Sequence, residues 1–171
     1  MRIAFTGPES SGKTTFSKWL SSELSNSDYI PEFAREYLEE RKIVRACEND
    51  FIQIVKNQCS LFKKSTSSNH QIFDTDLFVL RIWNDEVFKL NLPELEILPS
   101  CKMDIHFLCA PDVEWEEDPL RNVPAQSERI RLFESYISNL LEANSNFVVL
   151  NGSVDEKKSL VLASLQKFTS K

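Results

Sequence analysis

The sequence predicts an α/β fold, a five-stranded parallel sheet with helices on both faces. Three observations predict it. Short apolar stretches recur at residues 2–6, 28–31, 71–73, 104–109 and 147–150. Helical periodicities fill the intervals, so strands and helices alternate along the chain. The first strand and first helix are joined by a short segment that holds two of the chain's three glycines.

Taken in order, Arg2–Thr6 reads as a buried strand and Thr15–Leu24 as a helix. Phe16, Trp19, Leu20 and Leu24 fall at i, i+3, i+4 and i+8, which is one helical face. Asp28–Pro31 is a short strand with a proline near its end. Phe33–Lys42 is a charged helical segment with Phe33, Tyr37 and Leu38 on one side. Asn49 or Asp50 caps a long helix whose inner stripe is Phe51, Ile54, Val55, Gln58, Leu61 and Phe62, and Ser65–Asn69 is the loop that ends it. Gln71–Phe73 is a strand running into Asp74-Thr75-Asp76. Leu77–Leu90 is helical, with Leu77, Leu80, Trp83, Val87 and Leu90 inward. Asp104–Cys109 is the fourth strand, followed by a polar, irregular segment from Ala110 to Ser127. Glu128–Ala143 is an amphipathic helix with a seam of Leu132, Phe133, Tyr136, Ile137, Leu140 and Leu141. Phe147–Leu150 is the last strand, Asn151-Gly152 a turn, and Asp155–Phe168 the closing helix.

At 171 residues the chain reads as one domain, large enough to bury a core without staples. A net charge of −6 argues against nucleic acid as the main partner, which needs a basic face. Cys47, Cys59, Cys101 and Cys109 have no C-x-x-C spacing and only two histidines to join them. They read as reduced, mostly buried thiols rather than a zinc site. The apolar stretch after Met1 ends at Thr6, which leaves no signal peptide, and no window approaches a membrane span. The expectation is a cytoplasmic protein with no membrane partner; its oligomeric state is not legible.

The glycine-bracketed segment is Gly7-Pro8-Glu9-Ser10-Ser11-Gly12-Lys13-Thr14, which fits the P-loop pattern G-x-x-x-x-G-K-[ST] at every fixed position. A glycine-rich turn between strand and helix points successive backbone N–H groups into one concavity, with the positive end of the helix dipole behind them. Polyphosphate suits such a concavity. Gly7, Glu9, Ser10, Ser11, Gly12, Lys13, Thr14 and Thr15 are the candidate ATP contacts. Lys13 can reach the β- and γ-phosphates, and the Thr14 hydroxyl can ligate Mg²⁺.

Ligands of parallel sheets sit at the carboxyl ends of the strands. Glu32 follows the second strand, Asp74 the third, and Asp112 and Asp118 lie beyond the fourth. Asp74 is placed to hold Mg²⁺, directly or through water; a turn or cap aspartate is the plainer role. Asp76 suits either the site or the first turn of the next helix. Glu32 either pairs with Arg35 or points into the cleft toward an acceptor hydroxyl. The segment 110–127 reads as a lid. Arg121, and after it Arg129 and Arg131, are candidates to close over phosphate. Trp115 either stacks on a planar ring or anchors the loop.

Gly7–Thr14, Pro31-Glu32-Phe33-Ala34-Arg35-Glu36-Tyr37-Leu38, Phe73-Asp74-Thr75-Asp76, and Pro111-Asp112-Val113-Glu114-Trp115 with Asp118 and Arg121 come in this order over residues 1–150. The set resembles the ribosylnicotinamide kinase domain of the NadR-type NAD-biosynthesis proteins, with Glu114 and Pro119 departing from that family's pattern in the lid. The resemblance implies a P-loop nucleoside/nucleotide kinase-like three-layer sandwich. It implies ATP-dependent phosphorylation of nicotinamide riboside (NR) at its 5′-hydroxyl, by a stand-alone kinase domain. In that frame Lys13, Glu32, Asp74 and Arg121 are the catalytic candidates and Thr14 and Asp74 the metal ligands. Glu32, Arg35, Asp76, Asp112 and Trp115 are the acceptor contacts, and either Glu32 or Asp74 meets the hydroxyl. The rival functions are a kinase for another nucleoside or nucleotide, and a nucleotide-dependent switch. A guanine-reading N-K-x-D motif is absent.

Overall fold

The computed structural model describes residues 1–64, 67–96 and 101–169, so Ser65 and Thr66 of the expected Ser65–Asn69 loop lie outside the described residues. The elements are β1 (Arg2–Thr6), α1 (Lys13–Glu23), β2 (Ser27–Ile30), α2 (Phe33–Arg41), α3 (Glu48–Lys63), β3 (His70–Phe73), α4 (Leu77–Trp83), α5 (Pro93–Glu96), β4 (Ile105–Cys109), α6 (Gln126–Glu142), β5 (Phe147–Leu150) and α7 (Val154–Thr169). All five strands are parallel, in the order β2-β3-β1-β4-β5. The expected architecture is observed.

Strand alternation decides which helices cover which face. Ile3 and Phe5 of β1 and Ile105 and Phe107 of β4 point one way, onto Phe16 and Leu20 of α1 and Val161 and Leu165 of α7. On the other face Ala4 and Phe73 pack with Ile54 and Phe62 of α3 and Leu80 of α4. Leu108 meets Phe78 and Ile82 of α4 and Tyr136 and Leu140 of α6. Because every strand runs the same way, Thr6, Ile30, Phe73, Cys109 and Leu150 end along one edge. The chain winds out from β1 to β2 on one side and to β5 on the other. That reversal opens a crevice at the carboxyl end of β1.

Several local expectations are corrected. The first helix starts at Lys13 rather than Thr15, since the Phe16 N–H already bonds the Gly12 carbonyl at 3.0 Å. The N-cap of α3 is Cys47; Asp50, its third residue, instead reaches back to accept from the Cys47 N–H at 2.9 Å, closing a capping box. The helix expected over Leu77–Leu90 is α-helical only to Trp83 and continues as a π-helical turn over Asn84–Phe88. Asn84 closes that wider turn, donating to the Leu90 carbonyl at 3.0 Å and accepting from the Leu90 N–H at 3.1 Å. The added residue shifts the helical phase. Phe88 thereby stacks on Phe51 at 4.4 Å, and Val87, expected inward, is exposed. Leu141 is exposed too, because Leu140 fills the inward position of the last turn of α6. Cys59, Cys101 and Cys109 are buried as expected, while Cys47 is exposed. No helix among the described residues is long and apolar enough to cross a membrane.

Phe107 of β4 is fully buried beside the central strand, its ring 5.3 Å from that of Phe5. Phe107→Ala is expected to cost about 3–5 kcal/mol in urea unfolding; an unchanged midpoint would contradict this packing.

Candidate active site

The Gly7–Gly12 loop wraps the carboxyl end of β1. Gly7 has φ +132°, and a Cβ there would lie 2.6 Å from the Cys109 carbonyl oxygen. Only glycine lets the loop pass that close to β4. Gly12, at φ +88°, turns the chain into α1 above the Phe16 ring. Ser11 is buried, and its hydroxyl donates to the Pro8 carbonyl at 2.8 Å. The Lys13 ammonium lies inside the loop, donating to the carbonyls of Gly7 at 2.9 Å and Pro8 at 2.8 Å. One of its three donors is left for a ligand.

Asp74, at the end of β3, is buried, and both its oxygens are engaged. The Ser17 hydroxyl of α1 donates to one at 3.1 Å and the Tyr29 hydroxyl of β2 to the other at 2.8 Å. Burial, with the adjacent Asp74 charge, pushes the Tyr29 phenol well up, so it stays a donor. Sequence reading missed both partners. Ser17 lies one turn beyond Lys13, and a tyrosine ending a half-polar strand beside an acidic strand end was the available signal.

Glu32 occupies the N-cap position of α2 but makes no capping bond. Gln58 of α3 takes that part, accepting from the Phe33 N–H at 2.7 Å. The Glu32 carboxylate is thereby released from the helix, and among the described residues it has no hydrogen bond. Burial pushes its carboxyl up; the Lys13 ammonium pulls it back and Asp74 adds to the rise. Glu32, Thr14, Asp74, Tyr29, Lys18, Arg35 and three further glutamates of α2 line one cleft of about 270 Å³. Thr14 brings an exposed hydroxyl to it. Hydroxyl and carboxylate oxygens suit Mg²⁺, which takes one or two protein ligands and completes its shell with phosphate and water. No cluster of three or more His, Cys, Asp or Glu able to hold a metal occurs among the described residues. The donor set therefore fits an ion shared with a phosphate, not an all-protein cage.

The segment after β4 folds back over the loop. The Glu9 carboxylate accepts from the N–H groups of Asn122 at 2.8 Å and Val123 at 3.1 Å. The Ser10 hydroxyl accepts from the Glu116 N–H at 3.2 Å and lies 3.4 Å from Arg121 Nη1. Arg121 also donates to the Glu116 carbonyl at 2.8 Å. Side chains of Glu9 and Ser10 thus hold this segment.

Six candidate side chains have partners within the protein. Asp76 caps α4 through the Val79 N–H at 3.1 Å, accepts from Thr6 at 3.0 Å and meets His106 Nδ1 at 2.9 Å. Its carboxylate is spent on β1, β4 and the helix. Asp112 accepts from the Gly152 N–H at 2.7 Å and pairs with the buried Lys157, tying β4 to the β5–α7 turn. Trp115 lies between the guanidiniums of Arg121 and Arg129, 6.0 and 5.6 Å from its ring centre, and so anchors the loop. Arg35 pairs with Glu39 at 3.1 Å and Asp118 at 3.0 Å rather than with Glu32. Arg129 is buried on the Val113 carbonyl, and Arg131 pairs with Glu86 and Glu128 at the surface. Thr15 is exposed on the first turn of α1.

A family model described as an AAA domain matches residues 2–157. The chain belongs to that family. Among solved structures, NadR in complex with NR is similar at a TM-score of 0.78 and 22% identity, covering 99% of this chain and 52% of that one. NadR in complex with NAD and AMP-PNP gives 0.75 and 20%, covering 99% and 49%. Deoxyadenosine kinase from M. mycoides, with dCMP and dCDP bound, gives 0.68 and 16%, covering 98% and 100%. The chain spans about half the length of the NadR chains it matches. No curated protein sequence matches it significantly. The resemblance carried by the motifs is met in the fold, which is that of these P-loop kinases.

Gly7→Ala tests the loop's geometry. It is expected to lower stability by about 1–3 kcal/mol, read from urea unfolding, and wild-type stability would show that the loop does not depend on this contact.

Proposed function

We propose that this chain is a kinase that transfers the γ-phosphoryl group of ATP to a nucleoside hydroxyl, and that the nucleoside is NR. The observation that carries the reading is the Glu32 carboxylate. It is uncapped, unpaired and raised in pKa, and it faces a cleft whose other wall is Thr14 and the Asp74 end of β3. Phosphoryl transfer needs positioned phosphates, charge neutralisation and a group to take the acceptor's proton. Backbone N–H groups of residues 9–14 hold the β- and γ-phosphates, with Lys13 beside them. Thr14 and Asp74 would hold Mg²⁺, which would neutralise charge on the transferring group. Ser17 and Tyr29 keep the Asp74 side chain oriented.

Glu32 accepts the proton as the acceptor oxygen bonds to the γ-phosphorus. The bond from that phosphorus to the bridging oxygen breaks, and ADP leaves. A carboxyl raised toward the working pH is suited to that part. Arg121 reaches the loop from the lid, through Ser10. For the acceptor, the cleft carries Glu32, Glu36, Glu39, Glu40 and Asp74 against Lys18 and Arg35, five carboxylates to two cations. A cationic pyridinium nucleoside complements that wall, and one of the similar NadR structures holds NR.

Purified protein with ATP and Mg²⁺ is expected to convert NR to nicotinamide mononucleotide with one ADP formed per product. Turnover of another nucleoside in its place would remove NR and keep the kinase; ATP consumption indifferent to any acceptor would mark a switch. Acceptor kcat/KM is expected to fall with acid as Glu32 protonates, along a limb above the ordinary carboxylate range. Glu32→Gln is expected to lower kcat about 10²- to 10⁴-fold and erase that limb; a retained limb assigns the base elsewhere.

A further inference from the structure

We infer that Asp118 and Arg35 form a latch that transmits the state of the acceptor helix to the nucleotide site, making both of them positioning residues. The inference rests on reading the cleft and loop as a kinase's two substrate sites. Arg35 stands on α2, three residues after Glu32, and lines the acceptor cleft. Its Nη2 lies 3.0 Å from Asp118 Oδ2, in the segment that covers the P-loop. The same carboxylate oxygen is 4.0 Å from Arg121 Nε, and Arg121 reaches the Ser10 hydroxyl with Nη1 at 3.4 Å. A continuous polar chain thus runs Arg35–Asp118–Arg121–Ser10, from the acceptor wall to the phosphate loop.

Two further features fix the geometry of Asp118. Its Oδ1 accepts from the Leu120 N–H at 2.9 Å, and its carbonyl accepts from the Arg121 N–H at 3.0 Å. This tight turn sets the direction of both Asp118 and Arg121. Leu120, at the turn's centre, packs against the apolar cluster that includes Ala34, Tyr37 and Leu38 of α2. The turn is therefore held by an apolar anchor in that cluster as well as by charge to α2. Burial opposes ionisation of Asp118, but the Leu120 N–H and Arg35 outweigh it and hold the carboxyl below its ordinary range.

The functional consequence is reciprocal. If closing the lid needs Arg35 in place, nucleotide that favours the closed lid also favours that arrangement of the acceptor helix, by the same factor. Neither residue needs to touch the reacting atoms for this. The pair is partly exposed, with side-chain exposures of 39% and 20%. Its coupling is accordingly modest, about three- to fivefold in affinity, as for ion pairs of that kind.

The test compares the wild-type chain with Arg35→Met, Asp118→Asn and the double variant. Hydrogen exchange of the backbone over residues 114–123, without ligand, reads the latch directly. MgADP binding by calorimetry reads its transmission. All three variants are expected to exchange faster over 114–123 by the same factor and to bind MgADP about three- to fivefold more weakly. The double variant is expected to be no worse than either single one, because both remove one interaction. Arg35→Lys is expected to restore most of the affinity, which a merely structural defect in α2 would not allow. Unchanged exchange in Arg35→Met, or losses that add in the double variant, would overturn the latch. Wild-type protein that binds no MgADP would instead defeat the kinase reading, with the exchange data still deciding whether the latch exists.

Discussion

At Gly7 the backbone passes so near β4 that a Cβ would lie 2.6 Å from the Cys109 carbonyl. The close approach follows from the sheet itself. β1 and β4 are paired through Thr6 and Leu108, so the chain leaving Thr6 must rise directly over the end of its neighbour. A side chain at position 7 would push the loop away and with it the carbonyls of Gly7 and Pro8 that hold the Lys13 ammonium. The start of α1 would move too, and α1 carries Thr14 and Ser17. A single steric allowance at the end of β1 therefore sets the phosphate cradle, the lysine and the hydroxyl that meets Asp74.

The two carboxylates at the cleft illustrate how similar groups acquire different work. Asp74 receives two hydroxyl donors, which fix its direction. Glu32 receives none, and burial works against its charge, offset in part by Lys13. In the proposed reaction Asp74, with one donor on each oxygen and lone pairs still open, is aimed as a metal partner requires, whereas Glu32, raised in pKa by burial and without a donor, is suited to take a proton. The difference traces to Gln58, which caps α2 from another helix and so frees Glu32 from the role its N-cap position would ordinarily give it.

Much of this was legible in the chain alone. Alternation of strands and helices specified the sheet, and the loop pattern specified its functional edge, because both depend on local order. The departures arise from contacts between distant segments. Helical periodicity placed Val87 inward; only the Asn84–Leu90 hydrogen bonds reveal the π-helical turn that rotates it out. Asp76 suits either the site or the start of the next helix, and Asp112 stands beyond a strand end. Their partners, His106 and Lys157, lie 30 and 45 residues away, and neither pairing has a sequence signature. The same is true of Gln58, which the periodic pattern treats as one more inner position of α3. Position after a strand predicts proximity to the site, but what a carboxylate does there depends on which donors the fold leaves it.

The segment over the loop shows why polar attachment suits a moving part. It is held by N–H donors to Glu9, by Ser10, by the Arg35–Asp118 pair and by the partly buried Leu120. Solvent-exposed contacts of this sort contribute at most about 1 kcal/mol each, so the whole attachment amounts to a few kcal/mol, well below the stability of a packed core. Water can replace each hydrogen bond as the segment lifts, whereas it cannot replace the contacts of Phe5 with Phe107 beneath. The attachment of the segment over the loop is therefore far weaker than the packing of the sheet beneath it. Arg121, which the segment directs at Ser10, lies against the glycine-bracketed loop, so in the proposed reaction a bound phosphate and the segment would share one guanidinium.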